Sequence, residues 1–350
     1  METDMHPQHP IPRPKVVTLS GGTGGFTVLR GLRDQLLDIT AICTVFDSGG
    51  STGVLRDQYG ALPMGDERRC LLALIPEEDA GWRDLMMARY EANGSPLSNH
   101  SLGNLLLLSA EKQWGRLGGI ARLGELLHIR GRVLPVSTDD AHLTAELSDG
   151  SILRTEAAID TRDPLTDERG ISRVWLEPSA HACRDAIQAI EEADVIVIGP
   201  GDLFTSAIPN LLPRGATEAI NASTAQLVYI ANIMTKGAET RGYCAADFVD
   251  QLCRHGIARA FDHVLINTTP IPDDLRALYW EEDRAEPVTF DAACRARLLV
   301  RARNIVEAPL LSGTGLRERL LRHSSKAIAK EIMTIAEHVL EPAMPVQAVA

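Results

Sequence analysis

A strand, a glycine-rich turn, a helix and a second strand follow one another in residues 15–47, and this order constrains the fold more than any other stretch. Lys15–Leu19 is a short apolar run that predicts a buried strand. Residues 20–25 read S-G-G-T-G-G and lead directly into a helical pattern of leucines. Residues 39–46 form a second apolar run, which ends at Asp47. This order is typical of the βαβ unit that binds nucleotides in doubly wound α/β proteins.

An anion site is predicted at the first turn, which contains Gly21, Gly22, Gly24 and Gly25 around Thr23. A helix N-terminus has unpaired backbone N–H groups and partial positive charge, and a phosphate placed there satisfies both. The dinucleotide fingerprint G-x-G-x-x-G is met only in part, because Thr27 stands where the third glycine is expected. The lysine of a P-loop is absent as well. Taken alone, this stretch is compatible with two interpretations: a phosphate-binding loop and a tight turn that binds nothing.

Two further glycine-rich loops follow predicted strands. Residues 47–53 read D-S-G-G-S-T-G, and residues 199–206 read G-P-G-D-L-F-T-S after the apolar run at 195–198. Ligands of open α/β sheets bind outside the carboxyl ends of the strands. The second and third loops therefore add these candidate ligand-binding residues: Asp47, Gly49, Gly50, Ser51, Gly199, Gly201, Asp202, Thr205 and Ser206. Two roles are open for Asp47: it binds a ribose or a metal, or its carboxylate stabilises a turn or caps a helix.

Three other segments contribute candidates. Asp66 precedes an apolar helical run and is predicted to cap it, and Arg68 in the first turn is placed to contact a phosphate or to lie on the surface. The run N-H-S-L-G-N at 99–104 predicts a helix start facing the ligand, although a lone histidine is often structural. The candidates here, and in the run N-I-M-T after a later strand, are His100, Ser101, Asn104, Asn232 and Thr235.

Composition excludes several classes of protein. The chain has 350 residues and a net charge of −12 without a basic stripe, which argues against non-specific nucleic-acid binding. Its six cysteines lack C-x-x-C spacing, so we expect reduced thiols and a cytoplasmic protein. No apolar run approaches the ~20 residues of a membrane span. The proline-containing residues 1–14 are expected to be a disordered tail rather than a signal peptide.

The predicted fold is α/β, with a Rossmann-like, doubly wound, mostly parallel sheet and a small β-rich insert. The α/β core is expected in two parts, at 15–132 and 178–340, with a tail at 341–350. Residues 133–177 alternate apolar and polar side chains and are expected to form the insert, with a hairpin that turns at Asp149–Gly150 in a type I′ turn. A late strand is predicted near Leu298.

Several common catalytic motifs are absent from the sequence. It has no G-x-S-x-G elbow, no H-E-x-x-H, no Cys/His zinc spacing and no evident covalent nucleophile. The predicted strand ends instead carry hydroxyls and the carboxylates Asp47, Asp66, Asp202 and Glu239. This inventory suits binding of a phosphorylated, sugar-bearing molecule, or phosphoryl-type transfer assisted by Mg²⁺.

Together, the ordered motifs resemble one known family. The runs S-G-G-T-G-G, V-F-D-S-G-G-S-T-G-V-L-R, L-P-M-G-D-E-R-R-C-L, H-S-L-G-N-L-L-L, G-P-G-D-L-F-T-S and N-I-M-T-K-G-A-E-T are similar to those of the YvcK family, over residues 15–340. These gluconeogenesis factors are bacterial proteins linked to cell shape and wall synthesis. They share a fold with the CofD-type 2-phospho-L-lactate transferases.

The resemblance implies two alternative functions. The first is a regulatory protein that binds a nucleotide sugar such as UDP-N-acetylglucosamine without turnover. The second is a CofD-like, Mg²⁺-dependent transferase that moves a 2-phospholactyl group from a guanosine-activated donor to a deazaflavin. A dinucleotide-dependent oxidoreductase, suggested only by Gly22, Gly24 and Asp47, is the least favoured reading.

The sequence departs from the family pattern at several positions. Asp47-Ser48 replaces two aspartates, Asp202 a serine, Phe204 a tyrosine and Arg69 an asparagine, while the extra Gly25 is similar to the transferases. The lost aspartate weakens the case for a metal-assisted transferase, so we favour the non-enzymatic binder. No metal ligand is assigned, and Mg²⁺ is the only candidate cofactor. The expected partner is a nucleotide diphosphate, with neither nucleic acid nor membrane, and homo-oligomerisation is left open.

Overall fold

A seven-stranded parallel sheet forms the centre of the protein in the computed structural model, which describes residues 13–49, 55–56, 61–90, 97–313 and 320–340. Each neighbouring pair of its strands is parallel. In spatial order the strands are β10 (Ala302–Ala308), β9 (Phe261–Asn267), β8 (Gln226–Ile230), β7 (Val195–Ile198), β1 (Lys15–Leu19), β2 (Asp38–Cys43) and β3 (Arg132–Pro135). The predicted Rossmann-like α/β fold is confirmed.

Helices cover the two faces of this sheet. In chain order they are α1 (Gly22–Leu32), α2 (Gly65–Leu74), α3 (Ala80–Met87), α4 (Leu102–Trp114), α5 (Arg116–Leu126), α6 (Glu156–Asp160), α7 (Arg184–Glu191), α8 (Ala216–Ala222), α9 (Ala245–Arg254), α10 (Asp273–Asp283), α11 (Ala292–Arg301) and α12 (Ser325–Leu340). Along β7, Ile196 and Ile198 enter one buried cluster while Val195 and Val197 enter the other. Successive side chains of a strand point to opposite faces, so a strand covered on both sides is apolar throughout.

The strand order reverses between β1 and β7, and this position determines where a ligand can bind. From there the chain runs outward through β2 and β3 on one side and through β8, β9 and β10 on the other. Loops that leave adjacent strands in opposite directions open a crevice at the carboxyl edge of the sheet. The first and third glycine loops follow β1 and β7, so the topology places them side by side at this crevice.

The predicted β-rich insert contains a separate antiparallel sheet. Its strands are β4 (His142–Leu147), β5 (Ile152–Arg154) and β6 (Ile171–Glu177), in the order β5-β4-β6. Residues 132–135, at the expected start of the insert, pair instead with β2 in the large sheet. The small sheet therefore begins at His142, and the helix α6 lies in the chain between its strands β5 and β6.

Two local predictions are wrong. Leu298 lies on the helix α11 rather than on a strand, because Asp291 caps that helix by accepting a hydrogen bond from the Cys294 N–H (2.8 Å). The strand β10 begins only after that helix. In the hairpin, Gly150 has a positive φ (83°) whereas Asp149 does not. A type I′ turn needs both, so the loop is a three-residue connection that ends in a left-handed glycine.

Candidate functional site

A polar cavity of about 450 Å³ opens at the carboxyl edge of the sheet, beside the ends of β1, β2 and β7. The structure brings together here thirteen of the residues that were predicted from the sequence: Gly21, Gly22, Thr23, Gly24, Asp47, Gly49, Asp66, Arg68, Asn104, Gly201, Asp202, Thr205 and Ser206. The sequence reasoning missed several others on the same wall: Thr44, Arg69, Arg89, Glu156 and Asp160.

Six other predicted residues that the structure describes do not line this cavity. Gly25 faces the Ser20 side chain within α1, and Gly199 packs on the end of β8. His100 and Ser101 are buried at the start of α4, where Ser101 caps the helix through Asn104 N–H (3.3 Å). Asn232 and Thr235 line the neighbouring cavities. Gly50 and Ser51 lie outside the described residues.

Asp66 fixes the first glycine loop instead of capping its own helix. It is the second residue of α2, whose N-cap is Met64, so the predicted capping role is wrong. The helix begins at Gly65, five residues before the apolar run. Asp66 therefore lies in its first turn, with its carboxylate directed toward α1. There Asp66 Oδ1 accepts a hydrogen bond from Gly22 N–H (2.9 Å) and pairs with Arg69 (3.1 Å). Part of the positive end of α1 is therefore satisfied by a carboxylate of the protein itself.

Arg68 is the most unusual residue of the cavity. Its side chain is buried, with 8% of the residue exposed, and its Nε has no hydrogen-bond partner among the described residues. Burial, together with Arg69 and Arg89, lowers the pKa of Arg68 to about 10. Gly103 leaves room for this side chain, because a Cβ there would lie 2.8 Å from Arg68 Cδ. A buried cation with an unpaired donor, beside two more guanidinium groups, is a site for an anion.

On the opposite side of the cavity, Glu156 joins the second glycine loop to the insert. Ser48 N–H donates to Glu156 Oε2 (3.3 Å), and Ala157 N–H donates to Ser48 Oγ (2.9 Å). Burial and the nearby Asp47 carboxylate raise the pKa of Glu156 to about 8. Glu156 therefore favours its protonated form near neutral pH.

We expect this proton to make stability depend on pH. Glu156 binds its proton more tightly in the fold than in the unfolded chain, so its contribution to the free energy of unfolding falls as the pH rises from about 4.5 to about 8. Glu156→Gln should therefore be more stable than the wild type at pH 8, by a margin that shrinks toward pH 5. Urea unfolding at both pH values measures this difference, with the exposed Glu125→Gln as the control. A Glu156→Gln variant less stable than the wild type at pH 8 would show that the native carboxylate is charged.

A lysine fills the one group of three carboxylates that, among the described residues, is close enough to share a metal ion. Asp160, Asp202 and Glu239 have oxygens within 4.8 Å of one another. Lys236 Nζ pairs with all three, at 2.9 Å from Asp202 and 2.8 Å from Glu239. Burial opposes the charge of Lys236, but the carboxylates outweigh it and hold the pKa of this lysine above its ordinary value. This group therefore does not fit the Mg²⁺ that the resemblance implies.

The main cavity continues into two others along the same edge of the sheet. The first, of about 360 Å³, shares Thr23, Gly24, Gly201 and Asp202 with it and is also lined by Tyr279. The other cavity, of about 490 Å³, shares Asn232 and Thr235 with the 360 Å³ cavity and lies beyond these two residues. Asn232 Nδ2 donates to the Gly201 carbonyl (2.9 Å) and so connects these cavities to the third glycine loop. The row offers room for a ligand longer than a single phosphate.

In the described part of the chain, no helix has both the length and the apolar character that crossing a membrane requires.

Comparison with known proteins identifies the class to which this fold belongs. Residues 16–311 match the model of the family described as 2-phospho-L-lactate transferase CofD. The crystal structure of a UPF0052 family member from Bacillus halodurans superposes with a TM-score of 0.84 at 38% identity, covering 92% of this chain and 99% of that one.

Curated relatives narrow this assignment. The chain is 44% identical over 278 residues to the gluconeogenesis factor of Halalkalibacterium halodurans, covering 79% of this chain and 84% of that protein. It is 40% identical over 281 residues to the gluconeogenesis factor of Bacillus subtilis, covering 80% of this chain and 86% of that protein. The chain belongs to the CofD family and, within it, to the gluconeogenesis factors of the YvcK type. The predicted family is confirmed.

Proposed function

We propose that this protein binds a nucleotide sugar, such as UDP-N-acetylglucosamine, in the main cavity and acts as a cytoplasmic regulator rather than as an enzyme. The observation that carries the proposal is Arg68, a buried guanidinium with an unpaired Nε on the cavity wall. The relatives of this protein are named gluconeogenesis factors, which supports a role linked to central carbon metabolism. The link to cell-wall metabolism and cell shape is what the resemblance to the YvcK family implies.

The charges in the cavity support a diphosphate as the bound group. Arg68, Arg69 and Arg89 line one wall, and guanidinium groups form paired hydrogen bonds to phosphate oxygens. Because Gly22 N–H already donates to Asp66, the diphosphate is expected nearer to Thr23, Gly24 and the arginines. The nucleoside and the sugar would then extend along the row of cavities.

Three features favour binding without turnover. The Ser48 hydroxyl, at the position of the missing aspartate, caps α6 through Ala157 N–H. Glu156, beside Asp47, favours its neutral form because its pKa is raised to about 8, and the carboxylate triad is filled by Lys236. None of these groups is arranged as the carboxylate set that a metal-assisted transfer needs.

A CofD-like phospholactate transferase is the second candidate. It is favoured by the family model, which spans residues 16–311, and by Glu156 at the cavity wall, whose pKa of about 8 suits a group that gives or takes a proton near neutral pH. This alternative predicts that the protein converts a guanosine-activated phospholactate and a deazaflavin to product when Mg²⁺ is present.

Titration calorimetry distinguishes the two candidates. We expect saturable binding of UDP-N-acetylglucosamine with a dissociation constant below about 1 mM, and weaker binding of guanosine diphosphate and NAD. Mass spectrometry of the bound nucleotide sugar should show no chemical change. Absence of saturable UDP-sugar binding would refute the regulator, and formation of the phospholactyl product would establish the transferase.

A further inference from the structure

Lys236 connects three segments of the chain that meet beside the main cavity. Asp160 ends the helix α6 of the insert, Asp202 belongs to the third glycine loop, and Glu239 lies in the turn after β8. The Lys236 ammonium pairs with all three carboxylates. An ammonium group has three N–H donors, so this arrangement uses each of them once.

Glu239 is fixed on both of its oxygens. Its Oε1 accepts from Thr205 Oγ1 (3.3 Å) as well as from Lys236, and its Oε2 lies 3.4 Å from the Phe204 N–H. Only 2% of the residue is exposed, and burial raises the pKa of Glu239 to about 7. A buried carboxyl of this kind needs a positive charge beside it, and Lys236 supplies that charge.

The turn that carries Lys236 holds its backbone in place. Lys236 N–H donates to Thr240 Oγ1 (2.9 Å), and Thr240 N–H donates back to the Lys236 carbonyl (2.8 Å). Gly237 packs so closely that a Cβ there would lie 2.9 Å from the Asp283 carbonyl carbon. These contacts hold the backbone that positions the ammonium beside the carboxylates.

We infer that Lys236 is a built-in cation, which closes the Asp160–Asp202–Glu239 triad to divalent metals and fixes the third glycine loop beside the cavity. A divalent ion would need these same oxygens at about 2.0–2.6 Å from its own centre. The Lys236 ammonium, 2.8 Å from Glu239 and 2.9 Å from Asp202, occupies that centre. It also neutralises Asp202, whose carboxylate would otherwise repel a phosphate bound in the cavity. Only this last effect rests on the proposed function.

Electron paramagnetic resonance of Mn²⁺ tests the inference on the whole protein without any nucleotide. The wild type should show no saturable Mn²⁺ binding that depends on Asp202. Lys236→Met, which keeps the unbranched stem of the side chain and removes the ammonium group, should bind Mn²⁺ with a dissociation constant below about 100 µM, within the range of carboxylate sites. The double variant with Asp202→Asn should bind at least tenfold more weakly.

The outcomes separate cleanly. Tight Mn²⁺ binding by the wild type that is lost in Asp202→Asn would overturn the inference, and so would a folded Lys236→Met protein that gains no Mn²⁺ site. If the wild type binds Mn²⁺ and Asp202→Asn does not change that binding, the ion is bound at another site. That result agrees with a triad that is closed to metals. If Lys236→Met fails to fold, the comparison of the wild type with Asp202→Asn still decides. None of these arms contains UDP-sugar, so a failure of the proposed function is measured separately, by calorimetry.

Discussion

Gly24→Ala is expected to weaken binding of UDP-N-acetylglucosamine by at least about 100-fold, because the added methyl group would push the first and third glycine loops apart. A Cβ at Gly24 would lie 2.6 Å from the Pro200 carbonyl carbon and 3.1 Å from Gly201 N. Both are backbone atoms, so a loop must move. Overpacking of this kind costs about 1–3 kcal/mol of stability, and we expect the free energy of unfolding to fall by that amount.

The matched control is Gly81→Ala on α3. A Cβ there meets no atom within 4 Å, and the glycine is exposed. Alanine is favoured over glycine in a helix by up to about 1 kcal/mol, so this variant should be slightly more stable and should bind ligand as the wild type does. Calorimetry and urea unfolding measure both effects. If Gly24→Ala bound the UDP-sugar within twofold of the wild type, the contact between the loops would have no part in binding.

The sequence predicted those parts of the fold and the site that depend on local pattern. Apolar runs marked the central strands, and glycine clusters marked the loops after β1, β2 and β7. Parallel strands bring their carboxyl ends to one edge, so residues as distant as Gly24 and Ser206 were correctly expected to lie together. The topology of the sheet alone predicts that these loops lie close together, without reference to any side-chain contact.

The missed residues reach the cavity through long-range packing, which leaves no periodic signature. Glu156 and Asp160 belong to the insert, and they reach the cavity through contacts with Ser48 of the second glycine loop and with Lys236. Arg89 follows α3 in a segment without a motif. Lys236 stood within the quoted run N-I-M-T-K-G-A-E-T, and the Asp202 departure was a usable signal: a new carboxylate near a phosphate site requires a nearby cation.

Arg68→Met is expected to weaken binding of the nucleotide sugar about 100-fold and, at the same time, to make the ligand-free protein more stable. The burial of Arg68, reinforced by Arg69 and Arg89, disfavours its charged form, which is why its pKa is lowered to about 10. At pH 7 the group is charged in both the folded and the unfolded chain, so the cost of burying this charge is present in full. Methionine has a similar length without the charge and should recover about 1 kcal/mol or more.

Binding should change in the opposite direction. A hydrogen bond to a charged group contributes about 1.5–3 kcal/mol, so losing a paired contact to the diphosphate is expected to weaken affinity about 100-fold. Arg116→Met is the informative comparison, because the Arg116 guanidinium is also largely buried but pairs with the fully buried Glu67 (2.6 Å) and with Glu111 (2.7 Å). Its removal leaves a buried carboxylate alone and should lower stability by about 3–5 kcal/mol.

The comparison of the Arg68 and Arg116 variants therefore tests whether Arg68 contributes to ligand binding or to the stability of the fold. Urea unfolding without ligand should move in opposite directions for Arg68→Met and Arg116→Met. A loss of stability in Arg68→Met comparable to that in Arg116→Met would mean that the native protein already supplies the counter-charge of Arg68. The cavity would then have no need of an anion. If Arg68→Met instead raises stability and weakens binding, the buried charge of Arg68 destabilises the ligand-free fold. Its place in the cavity is then explained by the anion that it binds.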